Sequence, residues 1–452
     1  MIGAGSDGGP PELTRGGRRW AWVAVTLALV LGLAAAVAAS SSLFRDDPST
    51  SPPAPTASHE ARPTPSVDRA VRRDVAVASL LDERAAAVLA QDHAAFLAGV
   101  DPQAEEFGAA QAQLIGRLDA VEFADWAYEM MGPGPELTPA QAAGYPQGAA
   151  IVKVRLSYRL AGTETRTDRE QYLTVVPRGD DWFVASDTDG QPSGQRTERD
   201  LWDLGAVRLV HGETSTVLAS AGSEGAARRL ARRADDAVAQ VDAVWPADWS
   251  GHPVIVLPRT QADMATVLGH AMDGLGQVAA VTTGMFGDGR PRGDRVVVNP
   301  EAFGTLTPLG RQVVLTHEVT HVATRFTTTD APPVWLSEGF ADYVAYKEAP
   351  VQTAVVAGDL LDEVRRDGVP DELPGDGDFD TGRGDVAVAY EGAWLACRLI
   401  ARNYGEDVLV AFYRAMSDGQ GAGWPEESAA VLGATRAELT ESWQRYLTRL
   451  AS

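Results

Sequence analysis

Apolar residues follow helical spacing in the first part of the chain and strand spacing in the next. They recur every three to four residues from about Val75 to Leu97, and again from Phe107 to Met131, which predicts helices. Apolar and polar residues then alternate over residues 151–160, 170–177 and 182–186. These segments predict strands, and Gly179-Asp180-Asp181 predicts a hairpin turn between the last two.

The pattern starts again near Leu204 and continues to the C-terminus. It predicts strands over 207–219, 254–257, 278–286 and 295–299, and helices over 226–244 and 261–268. Helical spacing predominates after these segments. A chain of 452 residues is too long for one compact core. We therefore predict two folded α+β units, residues 75–202 and residues 203–452.

Three helices in the second unit have clear sequence signals. Thr307-Pro308 gives a helix start, because threonine is a favoured N-cap and proline a favoured first residue. Pro332-Pro333 breaks the chain, and a second helix is predicted to begin near Val334. The third is predicted over residues 386–402. It carries the single cysteine, Cys397, so no intramolecular disulfide can form.

An uncharged apolar run occupies residues 20–39, directly after three arginines. As a helix it would be about 30 Å long, which matches the core of a bilayer. By the positive-inside rule we predict a cytoplasmic tail over 1–19, a transmembrane signal-anchor helix over 20–40 and an extracytoplasmic remainder. A cleaved signal peptide ending near Ala36-Val37-Ala38 is the alternative, and it leaves the folded part on the same side.

Composition adds two limits. Residues 41–74 are rich in proline, serine and threonine, which predicts a disordered linker. The formal net charge of −23 argues against nucleic acid or an anionic membrane surface as a binding partner of the folded part. The sequence leaves the oligomeric state open.

The strongest chemical signal is the segment His317-Glu318-Val319-Thr320-His321 on the first of the three helices. Residues four apart project from one helical face, so both imidazoles can bind one ion, and Glu318 is rotated about 100° from His317. Seventeen residues after His321 comes Glu338, which shares a face of the second helix with Asp342. One carboxylate can complete a three-ligand zinc site, while the other accepts the N–H of a ligating imidazole. Glu318 is the predicted general base for the water at the fourth position.

With these residues the chain resembles the gluzincin metallopeptidases, of the membrane-associated "peptidase MA-like" kind. His317, Glu318 and His321 match the first helix of that family. The resemblance implies that Glu338 is the third zinc ligand, at the start of Glu338-Gly339-Phe340-Ala341-Asp342-Tyr343, and that Asp342 orients a ligand.

A second part of the resemblance is Tyr390-Glu391-Gly392-Ala393, which is similar to a gluzincin segment whose tyrosine hydroxyl stabilises the oxyanion. The segment is one residue shorter than in the aminopeptidases, and a core tyrosine is the alternative. The resemblance also implies a sheet before the zinc helix whose edge strand pairs with substrate, and residues 278–286 are the candidate edge.

Helices followed by an antiparallel meander in residues 75–202 resemble an NTF2-like α+β cone. The expected fold class is therefore α+β. A zincin-type metalloprotease domain, with a mixed sheet, active-site helices and a helical C-terminal lobe, follows the cone domain and one transmembrane helix.

The predicted function is that of a membrane-anchored, extracytoplasmic zinc metallopeptidase acting on a peptide or protein substrate. One alternative is a zinc-binding but non-catalytic scaffold or sensor at the cell surface. In another, the N-terminal unit binds a small ligand or polymer, which a cavity among its residues would support. The sequence does not separate aminopeptidase from endopeptidase action. The acidic segment 375–385 is similar to a calcium loop, but its sixth and twelfth positions do not fit an EF-hand.

Overall fold

The computed structural model describes residues 65–246, 249–269, 278–287, 290–328, 332–380, 386–418 and 426–452. The predicted cytoplasmic tail, the transmembrane helix and most of the linker lie outside these residues. Within the described ranges, none of the helices combines the length and apolar character that crossing a membrane requires.

The N-terminal unit packs helices against a four-stranded antiparallel sheet of strand order β1-β2-β3-β4. Its helices are α1 (Pro65–Ala90), α2 (His93–Ala98), α3 (Glu105–Leu118), α4 (Pro139–Ala142) and α5 (Leu201–Leu204). Its strands are β1 (Phe123–Pro133), β2 (Ala150–Leu160), β3 (Thr167–Arg178) and β4 (Asp181–Ser186). Gly179, at φ 69°, forms the predicted tight turn between β3 and β4. The three predicted strands and their hairpin are confirmed.

Two sequence-based boundaries in this unit are wrong. Helix α1 begins at Pro65, inside the segment predicted as linker, because proline is also favoured at the first position of a helix. The helix predicted over 107–131 ends at Leu118, and residues 123–133 form strand β1. Trp126, Tyr128 and Met130 alternate along β1, and aromatic residues at alternate positions fit a strand paired with β2 better than a helix.

The C-terminal unit has a five-stranded mixed sheet of strand order β5-β6-β7-β9-β8. Its strands are β5 (Val207–His211), β6 (Thr216–Ser220), β7 (Val254–Leu257), β8 (Ala280–Gly287) and β9 (Arg290–Val298). Strands β6, β7 and β9 are parallel, while β5 and β8 pair antiparallel at the two edges. The candidate edge strand at 278–286 therefore does lie at an edge, as β8.

Most helices of this unit cover one face of the sheet and form the C-terminal lobe, whereas helix Gln261–Leu268 packs on the other face, where Met264 and Val267 join the core shared with the N-terminal unit. They are α6 (Glu224–Asp242), α7 (Gln261–Leu268), α8 (Pro300–Thr305), α9 (Pro308–Thr327), α10 (Val334–Tyr346), α11 (Thr353–Val356), α12 (Gly358–Asp367), α13 (Val386–Tyr404), α14 (Glu406–Asp418), α15 (Glu426–Leu432) and α16 (Arg436–Ala451). The mixed sheet, the adjacent helices α9 and α10 and the helical C-terminus agree with the expected α+β class.

Both faces of the five-stranded sheet are apolar. On β9, Val296 and Val298 join the core formed with the helices of the second unit, whereas Val297 joins the core that includes Trp126 and Tyr158 of the first unit. Strands β6 and β7 alternate in the same way. The N-terminal unit, together with α7, thus covers the sheet face opposite α9 and α10.

A buried ionic network joins the two units. The Arg295 guanidinium on β9 lies 2.7 Å from the Asp200 carboxylate and donates to the Tyr158 hydroxyl at 2.8 Å. Arg169 on β3 pairs with the same carboxylate at 3.0 Å. Gly293 packs so closely here that an added Cβ would lie 3.2 Å from the Thr167 backbone.

Candidate metal centre

Helix α9 places the two histidines. The Thr307 hydroxyl accepts a hydrogen bond from the Gly310 backbone N–H at 3.0 Å and Pro308 follows as the first helical residue, so the predicted helix start is confirmed. His317 and His321 lie in the middle of this 20-residue helix and are 1% and 8% exposed. The helix therefore holds both imidazoles inside the protein, against α10.

The N-terminus of helix α10 is capped by a residue that is distant in sequence, Asp376. Pro333 precedes it and offers no capping side chain, but the Asp376 carboxylate accepts the Val334 backbone N–H at 3.1 Å. Asp378 accepts the Gly375 backbone N–H at 2.8 Å. Two carboxylates of the acidic segment thus accept hydrogen bonds from backbone N–H groups. Whether this segment binds calcium stays open, because residues 381–385 lie outside the described part of the chain.

The three predicted ligands converge. The Nε2 atoms of His317 and His321 are 3.0 Å apart, and the Glu338 carboxylate oxygen Oε2 lies 3.2 Å and 3.5 Å from them. Their ligand atoms all lie within 4.8 Å of one another, and all three residues are buried. The group could hold a metal ion.

The protonation of His317 fits a metal ligand. Its Nδ1 lies 2.9 Å from the Asp342 carboxylate and donates to it, so in the neutral ring that a metal requires, the lone pair lies on Nε2, which is directed at the other two ligand atoms. Burial alone would lower the pKa of His317, but the Asp342 and Glu338 carboxylates raise it well above its ordinary value. Two buried carboxylates therefore favour added positive charge at this point, as a cation site requires.

The charge state of Glu338 agrees with this. Burial would raise the pKa of its carboxyl, but the two imidazoles lower it far below its ordinary value. Burial raises the pKa of Asp342 despite its contact with His317. Glu338 is thus the more acidic of the two carboxyls. This agrees with the prediction that Glu338 is the metal ligand and that Asp342 is the hydrogen-bond partner of His317.

Glu318 follows His317 on α9, and its carboxylate contacts the sheet. It is 5% exposed, and its Oε2 accepts a hydrogen bond from the Thr282 hydroxyl at 2.6 Å. Thr282 lies on edge strand β8 and is equally buried. The sequence analysis missed Thr282. Alternation along β8 places it on the same face as Ala280, but no sequence pattern shows which helical residue it meets.

Tyr390 on α13 lies in the same electrostatic environment. Burial raises the pKa of its hydroxyl well above the ordinary value, and the Glu338, Asp342 and Glu318 carboxylates raise it further. The Phe379 ring packs against it at 5.1 Å. Tyr390 is therefore a neutral hydrogen-bond donor close to the metal-ligand group, and its role in stabilising an oxyanion stays a prediction.

Two further charged residues lie near His321 and were also missed. Asp294 on β9 and Arg325 on α9 form an ion pair at 3.4 Å. Burial raises the pKa of Asp294 to about 6, although the charges of Arg325 and His321 act in the opposite direction. Since 294 and 325 are remote in sequence, spacing gives no signal that they meet.

The N-terminal unit contains a cavity of about 30 Å³ lined by Trp126, Arg169, Arg199, Asp203 and others. A buried water needs roughly 10–15 Å³ on this measure, so the cavity accommodates one or two waters. A second pocket on the sheet of the same unit is larger, about 260 Å³, and is lined by Tyr128, Glu129, Arg155 and Arg166 among others. The alternative in which this unit binds a small ligand or polymer therefore stays open.

A comparison with protein-family models and with curated proteins gave no match for this chain.

Proposed function

We propose that the chain is a zinc-dependent peptidase. The observation that carries this proposal is the convergence of two imidazole nitrogens and one carboxylate oxygen, all buried, together with a buried glutamate, Glu318, one residue after His317 on the same helix. Two nitrogens and one oxygen suit zinc better than calcium or magnesium, which favour sets of oxygen ligands. Three protein ligands also leave a position open, which is typical of catalytic rather than structural zinc sites.

Zinc, when bound, supplies a Lewis acid that polarises a carbonyl group and lowers the pKa of water. Glu318 is the residue that accepts the proton of the attacking water and returns it to the leaving amine. Asp342 keeps the proton of His317 on Nδ1, so Nε2 remains free to bind metal. The Tyr390 hydroxyl, which stays protonated, donates to the oxygen that gains negative charge.

The proposed binding site for the peptide substrate is the edge strand β8. An extended peptide can add to an exposed sheet edge and form backbone hydrogen bonds with it. Strand β8 lies at the edge of the sheet and carries Thr282, which contacts Glu318. A peptide paired with β8 would therefore run past Glu318. The proposal includes the predicted location, in which the run at 20–39 anchors the chain and the folded part is extracytoplasmic.

The test is hydrolysis of a mixed peptide library by the full chain in detergent, with cleavage sites determined by mass spectrometry. Glu318→Gln should retain zinc and lower kcat by roughly 10²–10⁴-fold, because it removes a positioned proton-transfer group. Glu348→Gln, the same change at an exposed position, is the matched control and should cleave normally.

The outcomes separate the hypotheses. If the wild-type chain holds zinc and cleaves nothing, the scaffold or sensor function replaces catalysis. If it holds no zinc, the assignment of His317, His321 and Glu338 as its ligands is wrong. Cleavage sites would also distinguish aminopeptidase from endopeptidase action.

A further inference from the structure

Thr282 contacts Glu318 at two points. Its hydroxyl oxygen lies 2.6 Å from Glu318 Oε2 and 3.0 Å from the Glu318 backbone oxygen. A hydroxyl has one proton to donate, and the shorter contact with the carboxylate oxygen is typical of a charge-assisted hydrogen bond. Both side chains are 5% exposed, so water competes little for this contact.

The carboxylate of Glu318 needs such a contact to be held in place. A glutamate side chain has three rotatable bonds, and helix α9 fixes only the position of its first carbon. Among the described residues, the hydroxyl of Thr282 is the hydrogen-bond donor that reaches this carboxylate. It binds one carboxylate oxygen and leaves the other available for proton transfer.

Thr282 is itself held rigidly. A β-branched side chain has restricted rotation about its first bond. Strand β8 pairs with β9, where Thr282 lies opposite Val296. The neighbouring Val281 faces the N-terminal unit, so Thr282 faces α9. Arg295, which directly precedes Val296 on β9, is fixed by the buried network with the N-terminal unit.

We propose that Thr282 is a positioning residue that holds the Glu318 carboxylate in the orientation it needs as general base. This inference rests on the proposed peptidase function and deepens it. Strand β8, at which we place the substrate, would then also set the position of the base. One strand thereby fixes the distance between the scissile bond and the group that accepts the proton.

The first test compares Thr282→Val with Thr282→Ser in the full-length, zinc-loaded chain. Valine keeps the shape and loses the hydroxyl, while serine keeps the hydroxyl. We expect Thr282→Val to lower kcat by about 10–100-fold, the usual effect of losing such a supporting contact, with KM changed less than about twofold and zinc content unchanged. Thr282→Ser should retain most of kcat. Wild-type kcat in Thr282→Val, or equal losses in both variants, would overturn the inference.

A second test needs no activity. In the metal-free chain, Thr282→Val leaves a buried carboxylate oxygen without its donor and should lower the Tm by roughly 2–4 °C. In a Glu318→Ala background the same change should lower the Tm clearly less, because only the contact of the hydroxyl with the backbone oxygen of residue 318 remains to be lost. Equal effects in both backgrounds would show that Thr282 does not hold Glu318. A wild-type chain that cleaves no peptide would refute the peptidase function, and this cycle would still decide the contact.

Discussion

Gly339 directly follows the predicted ligand Glu338, and replacing it with alanine should damage the metal centre from the side opposite α9. Helix α10 approaches α13 so closely here that an added Cβ would lie 2.5 Å from the carbonyl carbon of Ala393 and 3.0 Å from Cys397 Sγ. Ordinary contact begins at 3.4 Å, so the Ala393 contact falls short by roughly 1 Å. The obstacle is backbone, which cannot rotate away.

Two opposing effects determine how much Gly339→Ala changes the free energy of unfolding. Alanine favours a helix over glycine by about 1 kcal/mol. Overpacking a filled core costs about 1–3 kcal/mol, and a backbone obstacle places this site toward the upper end. We therefore expect Gly339→Ala to lower the free energy of unfolding by about 1–2 kcal/mol. Movement of α10 away from α13 would also displace Glu338, so zinc affinity should fall.

Urea unfolding of the metal-free chain measures the first effect, and competition with a zinc chelator measures the second. The matched control is Gly116→Ala on α3, where the glycine is exposed and an added Cβ meets no atom within 4 Å. That change should raise the free energy of unfolding by about 0.5–1 kcal/mol. If both variants are equally stabilised, α10 and α13 do not pack as described. If Gly339→Ala loses stability but binds zinc normally, Glu338 is not held by this packing.

Two other predictions concern charged residues. Asp342→Asn should lower zinc affinity about 10–100-fold, because His317 loses the carboxylate that fixes its proton; chelator competition checks this, and unchanged affinity would contradict that role. Burial alone would raise the pKa of Asp101, but its contacts with Arg178 and a backbone N–H lower the pKa below its ordinary value. Its stabilising contribution is thus complete above about pH 4 and disappears as the pH falls through the lowered pKa. Asp101→Asn should flatten the pH dependence of urea unfolding below pH 4, and an unchanged pH dependence would contradict this.

Local sequence signals predicted much of the fold and the core of the site. Thr307-Pro308 predicted the start of α9 because capping depends on adjacent residues. The four-residue spacing of His317 and His321 predicted a common helical face for the same reason. The pairing of Glu338 with these histidines also followed, through resemblance to a known motif.

Contacts between distant segments could not be predicted. Nothing near Glu318 in sequence indicates Thr282, because the contact depends on how β8 lies across α9. Nothing near Val334 indicates Asp376 as its cap. The strand at 123–133 was missed because its apolar spacing also fits a helix, and only pairing with β2 decides between them.

Both faces of the five-stranded sheet in the second unit are buried against other parts of the protein. Val296 belongs to one core and Val297 to another, so each strand contributes to two interiors at once. A cut between residues 202 and 203 would divide the chain at a sequence boundary but expose the apolar side of β6, β7 and β9. We therefore expect the two units to unfold together, because loss of order in residues 65–204 would remove the support behind the strands that carry Thr282 and Arg295.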